Sequence, residues 1–191
     1  MEDTRMELCQ EIAGIRMVFT TADGLFSPAR ADRGTLAMLS VADLRPGHRV
    51  LDLGCGWGLV GVYAALVCGA ENVAMTDVDP RAAALARENA LRNGVPAARV
   101  FTGDALSAVP DPAFDRILSN PPYQADFSVA KRFILKGFNR LALGGRLYMV
   151  AKRRAWYENR LRAAFGGVRV NEVDGYFVFE AERRTLHYAQ I

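Results

Sequence analysis

Two short stretches of the sequence hold the residues that could do chemistry. Residues 52–58 (DLGCGWG) place three alternating glycines between an apolar strand-like run and an apolar helix-like run. Glycines in such a turn adopt unusual backbone angles and let a ligand approach the free N–H groups of a helix start. Residues 120–123 (NPPY) combine a planar amide, two ring-constrained residues and an aromatic ring. We interpret the first stretch as a nucleotide-type binding loop and the second as a site for a planar amino group.

The NPPY stretch is suited to holding an NH2 group toward an electrophile. Pro121 and Pro122 fix two φ angles near about −65° and remove two N–H donors, and Asn120 before them is kept out of the helical region. The Asn120 side-chain oxygen and the Pro121 carbonyl can both accept hydrogen bonds from one NH2 group. Tyr123 can stack on a flat substrate. Asn120, Pro121 and Tyr123 are therefore the candidate catalytic residues, for a methyl transfer that depends mainly on positioning.

The glycine loop alone leaves the cofactor open. Residues 56–61 (GWGLVG) fit the GxGxxG pattern of dinucleotide enzymes, with Asp77 at the end of the next strand. Asp52 could meet a cationic amine, Asp77 both ribose hydroxyls and Asp104 an adenine amino group, which together favour S-adenosylmethionine. An NAD enzyme is less favoured because neither histidine is in a plausible hydride site. The predicted cofactor-binding residues are Asp52, Gly54, Cys55, Gly56, Gly58, Asp77, Val78, Asp104, Ala105 and Asn120.

The elements around these loops alternate between strand and helix. Such alternation predicts an α/β fold with a mostly parallel sheet, and the Asp174-Gly175 turn predicts a closing antiparallel hairpin. No linker or repeat divides the chain, so we expect a short extension over residues 1–24, with a possible hairpin, and one domain over 25–191. The predicted strands are 49–53, 72–77, 99–102, 114–119, 146–151, 168–173 and 176–181, and the main helices are 29–44, 59–68, 80–93, 127–141 and 156–165.

Taken in order and spacing, VLDLGCGWG, TDVDP, TGDAL and SNPPY resemble the motifs of class I methyltransferases that modify amino groups. DGLFSPARADRGT and the closing DGYFVFEAERR are similar to the small-domain methyltransferase family, which includes bacterial 16S rRNA guanine-N2 methyltransferases. The resemblance implies a Rossmann-like fold with a seven-stranded sheet, S-adenosylmethionine at the glycine loop, and RNA guanine as one known substrate type. It also implies that the mouth of the site is lined by Phe26, Ser27, Arg33 and Thr35.

Other functions share parts of these motifs. The family's bacterial rRNA enzymes have two tandem halves, and this chain has only the catalytic half, which leaves the rRNA position open. Tyr123 also suits adenine-N6 methyltransferases, and NPPY occurs in release-factor-type protein glutamine-N5 methyltransferases. Those protein-modifying enzymes carry a helical N-terminal domain, for which the residues before the core are too few. A nucleotide- or RNA-binding module without activity is disfavoured because a pure binder has no need of NPPY.

The charge of the chain is unevenly distributed. The net charge is +3, from 24 basic and 21 acidic residues, yet residues 131–169 hold eleven Lys or Arg and one acid, Glu158, for +10. The remainder, with 13 basic and 20 acidic residues, carries −7. A basic surface attracts polyanions, although solvated helix faces would also account for it. We predict contacts with RNA from Lys131, Arg132, Lys152, Arg153 and Arg154, and with the substrate also from Phe26, Arg33 and Pro122.

The cellular setting is expected to be the cytoplasm. The first residues, MEDTRMELCQEI, are charged and mixed, unlike a signal peptide, and no apolar run reaches the roughly 18 residues of a membrane span. Three cysteines without CxxC spacing predict neither a disulfide framework nor a metal site.

Overall fold

A computed structural model describes residues 5–25, 27–103, 113–122 and 127–187. The chain divides into two compact units, the first from Met1–Asp32 and Leu44–Val109, the second from Arg33–Asp43 and Pro110–Ile191. Within the described residues the strands are β1 Arg5–Ile12, β2 Ile15–Ala22, β3 Val50–Leu53, β4 Val73–Asp77, β5 Arg99–Thr102, β6 Phe114–Ser119, β7 Leu141–Ala151, β8 Arg169–Val173 and β9 Tyr176–Glu182. The α-helices are α1 Arg33–Val41, α2 Leu59–Cys68, α3 Pro80–Arg92, α4 Ser128–Arg140 and α5 Arg154–Phe165.

Seven strands form one mixed sheet in the order β5-β4-β3-β6-β7-β9-β8. The pairs β3–β4, β4–β5 and β6–β7 are parallel, whereas β9 is antiparallel to both β7 and β8. Asp174 and Gly175, with φ of 51° and 76°, form the tight turn between β8 and β9. The predicted mostly parallel sheet with a closing antiparallel hairpin is confirmed. β1 and β2 form a separate two-stranded hairpin.

The first unit is built on buried apolar strands covered by two helices. β3 (VLDL) is buried along its whole length, and α2 (LVGVYAALVC) is apolar on nearly every face because it packs against β3 and β4. A Cβ at Gly61 would lie 2.2 Å from the Met75 side chain, so only glycine allows α2 to approach β4 this closely. The close packing fixes the start of α2, where the glycine loop ends.

Asn89 of α3 and Asn93, the C-cap of that helix, tie the N-terminal hairpin to the rest of the first unit. Asn89 is fully buried, and its side chain accepts a hydrogen bond from Thr20 N at 2.7 Å. The same side chain donates to the carbonyls of Thr20 at 2.9 Å and Trp57 at 2.8 Å. Asn93 makes a second such pair with the main chain of Val18. One buried amide therefore links β2 to the glycine loop.

The second unit packs α1, α4 and α5 on its strands. α1 lies against β7 and β9, whereas α4 and α5 contact each other and also β7 and β9 respectively. Arg116 of β6 is buried because its guanidinium donates to the Asp43 carbonyl at 2.8 Å and to the Asp43 carboxylate at 3.0 Å. This ion pair fastens the segment that follows α1 to β6.

Two element boundaries differ from those expected. The helix predicted over 29–44 is limited to Arg33–Val41, since Ser27 has a left-handed φ of 51° and turns precede the helix. The strand predicted over 146–151 begins at Leu141, so that Gly144 and Gly145 lie inside β7. A shift of register between Phe114 and Arg116 marks the irregularity, and a Cβ at Gly145 would lie 2.8 Å from the Phe114 carbonyl oxygen. The glycines thus allow a strand irregularity.

In the part of the chain that the structure describes, the helices are too short or too polar for any of them to cross a membrane.

Candidate active site

The glycine loop is held by the end of β4. Gly54 N and Cys55 N both donate to the Thr76 carbonyl at 2.9 Å, and Gly56 N donates to the Asp77 carboxylate at 2.8 Å. Three successive main-chain N–H groups therefore point toward one strand end. The Asp77 carboxylate also accepts from Asp79 N at 2.9 Å, so Asp77 holds its own loop as well.

Two glycines of the loop meet different surroundings. Gly58, the N-cap of α2, has φ of 96°, and a Cβ there would lie 3.1 Å from Ala86 of α3. Gly56 also has a left-handed φ, 53°, but a Cβ there would meet no atom within 4 Å. Gly58 is thus favoured by its backbone angle and by tight packing against α3, whereas the Gly56 backbone borders open space that a ligand could approach.

Asp52 caps α2 from the end of β3. Gly58 as N-cap has no side chain to accept from the helix, and the Asp52 carboxylate instead accepts from Gly61 N at 2.9 Å. Burial raises the pKa of the Asp52 carboxyl from 3.8 to about 7; the Gly61 hydrogen bond lowers it, and the nearby Asp77 charge raises it further. Asp52 therefore lies beneath the loop, only 2% exposed, as a carboxyl that titrates near neutrality.

The last residue of β4, Asp77, and the two residues that follow it have separate environments. The side chain of Val78 is 75% exposed. Asp79 caps α3 by accepting from Arg81 N at 2.9 Å, as expected for an acid before Pro80. The Arg81 side chain also bonds Asp79 and lowers the pKa of that carboxyl. Asp77 consequently faces the loop, whereas Asp79 belongs to the helix.

Cys55 is a buried thiol in the middle of this loop. Burial raises its pKa well above the ordinary value, and the charges of Asp52 and Asp77 add to the effect. The thiol stays protonated and is a poor nucleophile or metal ligand. Among the described residues, no group of three or more His, Cys, Asp or Glu could hold a metal ion.

The second unit contains the Asn-Pro-Pro segment, directly after β6. Asn120 Nδ2 donates to Thr35 Oγ1 at 2.9 Å, and Thr35 is buried on α1. With the amide nitrogen bonded to Thr35, the buried oxygen, Oδ1, is the acceptor end of the side chain. Pro121 is buried and Pro122 is exposed. The side chain of Asn120 is thus oriented by a residue 85 positions earlier in the chain.

Seven of the eleven basic residues of 131–169 differ in whether they pair with an acid. Arg146, Arg154, Arg162 and Arg169 form ion pairs with Glu158, Glu180 or Glu182, at 2.7–3.7 Å. Lys131, Lys152 and Arg153 are exposed, and none of the three forms an ion pair with a described residue. The local excess of positive charge is therefore smaller than +10, and Lys131 at the start of α4 and Lys152 and Arg153 just after β7 contribute to it.

The family model for the methyltransferase small domain matches residues 16–180, which include both loops. The chain belongs to the methyltransferase small domain family. Its relatives in this family include the ribosomal RNA small subunit methyltransferase C of Pseudomonas putida strain F1. That protein is 32% identical over 184 residues, covering 94% of this chain and 54% of the relative. The chain therefore spans about half the length of the curated relatives it matches.

Solved structures of methyltransferases share the fold. The T. thermophilus 16S rRNA N2 methyltransferase (RsmC), solved with AdoMet and guanosine, has a TM-score of 0.86 at 26% identity, covering 94% of this chain and 51% of that chain. TrmN from Thermus thermophilus has a TM-score of 0.64 at 31% identity, covering 77% and 47%. The predicted family and the Rossmann-like methyltransferase fold are both confirmed.

In this small-domain methyltransferase, each unit gathers part of the predicted site. The first unit brings together Asp52, residues 54–58 and Asp77, and the second joins Asn120 to Thr35. Arg33 is exposed at the start of α1, and Ser27 is half-buried. The roles of Thr76 as an acceptor for the loop and of Thr35 as the partner of Asn120 were not predicted, since neither follows from a local pattern. Four predicted residues lie outside the described residues: Phe26, Asp104, Ala105 and Tyr123.

Proposed function

We propose that this chain transfers a methyl group from S-adenosylmethionine to an exocyclic amino group of RNA, with guanine N2 of rRNA as the target. The observation that carries the proposal is the orientation of Asn120, whose amide nitrogen donates to Thr35 and whose buried oxygen is the acceptor end. An acceptor of fixed orientation is what an NH2 group needs in order to be held. The names of the relatives, a small-subunit rRNA methyltransferase and an rRNA N2 methyltransferase, support the choice of rRNA and guanine.

The glycine loop of the first unit has the chemistry to hold the cofactor. Open space at Gly56 would admit a ligand to the main chain, and the Asp77 carboxylate is suited to accept from ribose hydroxyls. The exposed apolar side chain of Val78 would cover a flat base, and Asp52 beneath the loop would favour a cationic amine. S-adenosylmethionine, when bound, would supply a methyl group on a positively charged sulfur. The structure solved with AdoMet supports this assignment.

The Asn120 segment would position the amino nitrogen. Two acceptors, Asn120 Oδ1 and the Pro121 carbonyl, would take the two N–H bonds, which directs the nitrogen lone pair out of the plane of the base. Because the proton becomes acidic only after the methyl group has been added, no strong general base is needed first. Tyr123, the fourth residue of the motif, would stack on the base. The contribution of the chain is therefore orientation, which can lower a barrier by several kcal/mol.

We also propose that the exposed basic residues contact RNA phosphates. Lys131, Lys152 and Arg153 are the strongest candidates because they lack acidic partners among the described residues. Arg132 is also exposed. Arg154 is bonded to Glu158 and would contribute less. Methyl transfer to RNA should accordingly fall steeply with added salt.

The organisation proposed for the whole chain follows the sequence. Residues 25–191 would form the methyltransferase domain and residues 1–24 a short extension that carries the β1–β2 hairpin. We place the activity in the cytoplasm, in keeping with an rRNA substrate. The family match over residues 16–180 supports a domain that includes both loops.

Incubation with labelled cofactor and either total RNA or total protein tests this proposal. We expect label in RNA, in an amount that decreases between low and moderate salt. Label in protein, with none in RNA, would instead favour a glutamine-N5 methyltransferase of the release-factor type. Absence of label from both, together with no binding of S-adenosylmethionine in calorimetry, would favour a binding module.

A further inference from the structure

Three flat side chains lie together in the second unit, next to the end of β7. The rings of Phe127 and Trp156 are stacked, with centroids 4.1 Å apart and planes inclined by 16°. The guanidinium carbon of Arg153 lies over the Phe127 ring, 5.6 Å from its centroid. We call these three residues, Arg153, Phe127 and Trp156, the Arg153 stack.

The Arg153 stack is supported by the core of the second unit. The edge of Tyr157 meets Trp156 at 5.0 Å and Phe127 at 6.2 Å between centroids. Tyr157 is buried and is itself stacked on the buried ring of Phe179 of β9 at 5.5 Å. The two aromatic rings of the stack therefore have a fixed base, whereas Arg153 is exposed.

The strand register of the second unit places this stack at the same sheet edge as Asn120. β6 and β7 are parallel, and Ser119 lies opposite Met149. Asn120 directly follows Ser119, and Arg153 follows Ala151 by two residues. Neighbouring strands are about 4.8 Å apart, and parallel strands end at one edge. The Asn120 segment and the Arg153 stack thus emerge side by side.

The charges at this position favour a polyanion that also has flat groups. Lys152 and Arg153 are exposed without an ion pair to a described residue, whereas Arg154 is held by Glu158 at 2.8 Å. Aromatic rings and guanidinium planes are the surfaces on which unpaired RNA bases stack, while nearby cations meet the phosphates.

We propose that the Arg153 stack is a subsite for an unpaired RNA base that neighbours the target nucleotide. The proposal rests on the function proposed above, and it deepens that function by requiring that the target lie in an unpaired stretch. A base inside a duplex keeps both faces covered by its neighbours and cannot add to the stack. The Asn120 segment would then bind the target amino group, and the Arg153 stack would bind the flanking base only when that base is unpaired.

The test compares two short single-stranded RNAs that differ only beside the target. One carries a guanosine flanked by ordinary nucleotides, and the other has abasic residues on both sides of the same guanosine. Binding by fluorescence anisotropy should be about tenfold or more weaker for the abasic RNA, as expected for the loss of a stacked base. Arg153→Lys keeps the charge but loses the flat group. This variant should bind the two RNAs with similar affinity and keep the wild-type salt dependence.

Arg16→Lys is the matched control, because Arg16 is exposed on the hairpin of the first unit. It should discriminate between the RNAs as the wild type does. Equal binding of both RNAs by the wild type, or full discrimination by Arg153→Lys, would overturn the subsite. If the wild type still methylates total RNA in that case, the proposed function stands and only the subsite fails. If the wild type neither binds nor methylates RNA, both fail.

Discussion

The glycine loop of the first unit and the Asn120 segment of the second unit achieve order in different ways. The glycine loop is fixed by its own main chain, through N–H groups that donate to the Thr76 carbonyl and the Asp77 carboxylate. The Asn120 segment is fixed by two proline rings and by one side-chain hydrogen bond to Thr35. One region thus relies on backbone freedom and the other on its restriction.

This difference explains why the sequence of the glycine loop specifies its ligand less closely than the sequence of the Asn120 segment does. A loop that binds through main-chain groups suits any ligand with a similar shape, and its sequence fits both dinucleotide and S-adenosylmethionine patterns. A segment that binds through one oriented amide specifies the group that it holds. The first region therefore accounts for cofactor binding, and the second for the reaction.

The largest effect on methyl transfer is expected from a change at Asn120 itself. Asn120→Ala removes the acceptor that would hold the substrate NH2 group, so methyl transfer to RNA should fall at least about a hundredfold. Cofactor binding, measured by calorimetry, should persist because the glycine loop is unchanged. Transfer at the wild-type rate would refute the assignment of Asn120, and unchanged thermal unfolding would exclude a folding defect.

The second-largest effect is expected in the glycine loop of the first unit. Asp77→Ala removes the carboxylate that accepts from Gly56 N and would bind the ribose, so the Kd for S-adenosylmethionine should rise about 10–100-fold. Asp79→Ala is the matched control, since it removes the cap of α3 but leaves Asp77 in place. It should lower the free energy of unfolding by about 1 kcal/mol without weakening cofactor binding. If the two variants bound cofactor equally well, Asp77 would have no special role.

A smaller effect on methyl transfer is expected at Thr35 of α1, which holds the Asn120 side chain. Thr35→Val loses the hydroxyl that accepts from Asn120, so kcat should fall roughly tenfold, the equivalent of about one hydrogen bond. KM for RNA should change little because the basic residues are unaffected. Thr35→Ser restores the hydroxyl and should recover most of kcat. A valine variant with the kcat of the wild type would contradict a role for this hydrogen bond.

The smallest effect is a dependence of the free energy of unfolding on pH, caused by Asp52 beneath the glycine loop. Asp52 has a folded-state pKa of about 7, above its ordinary 3.8, so the folded protein binds more protons between these values. The free energy of unfolding should therefore decrease as pH rises from about 4 to about 7. Asp52→Asn should remove this decrease. The free energy of unfolding of the variant minus that of the wild type should therefore be larger at pH 8 than at pH 5, by at least about 1 kcal/mol. If urea unfolding of the variant and of the wild type depended on pH in the same way, the raised pKa of Asp52 would be contradicted.

Much of the fold and both loops were predictable because they are encoded locally. The run VLDL, the glycines after it and the Asp79-Pro80 cap each specify a strand, a turn or a helix start within a few residues. The bond between Thr35 and Asn120 was not predictable, since it depends on how α1 packs in the second unit. The pairing of Arg146 with Glu180 was missed for the same reason, because a count of charges along the chain ignores partners on neighbouring strands. The start of β7 at Leu141 was not predictable either, because glycines such as Gly144 and Gly145 are typical of helix ends and of strand irregularities alike.

Identification of the methylated nucleoside tests the central claim most directly. RNA treated with the wild type and labelled S-adenosylmethionine would be digested to nucleosides and analysed by mass spectrometry. Guanosine methylated at N2 is the product that we predict, and its amount should fall with Asn120→Ala. Label in N6-methyladenosine, or in methylated glutamine of a protein and not in RNA, would contradict the assignment of this site to guanine.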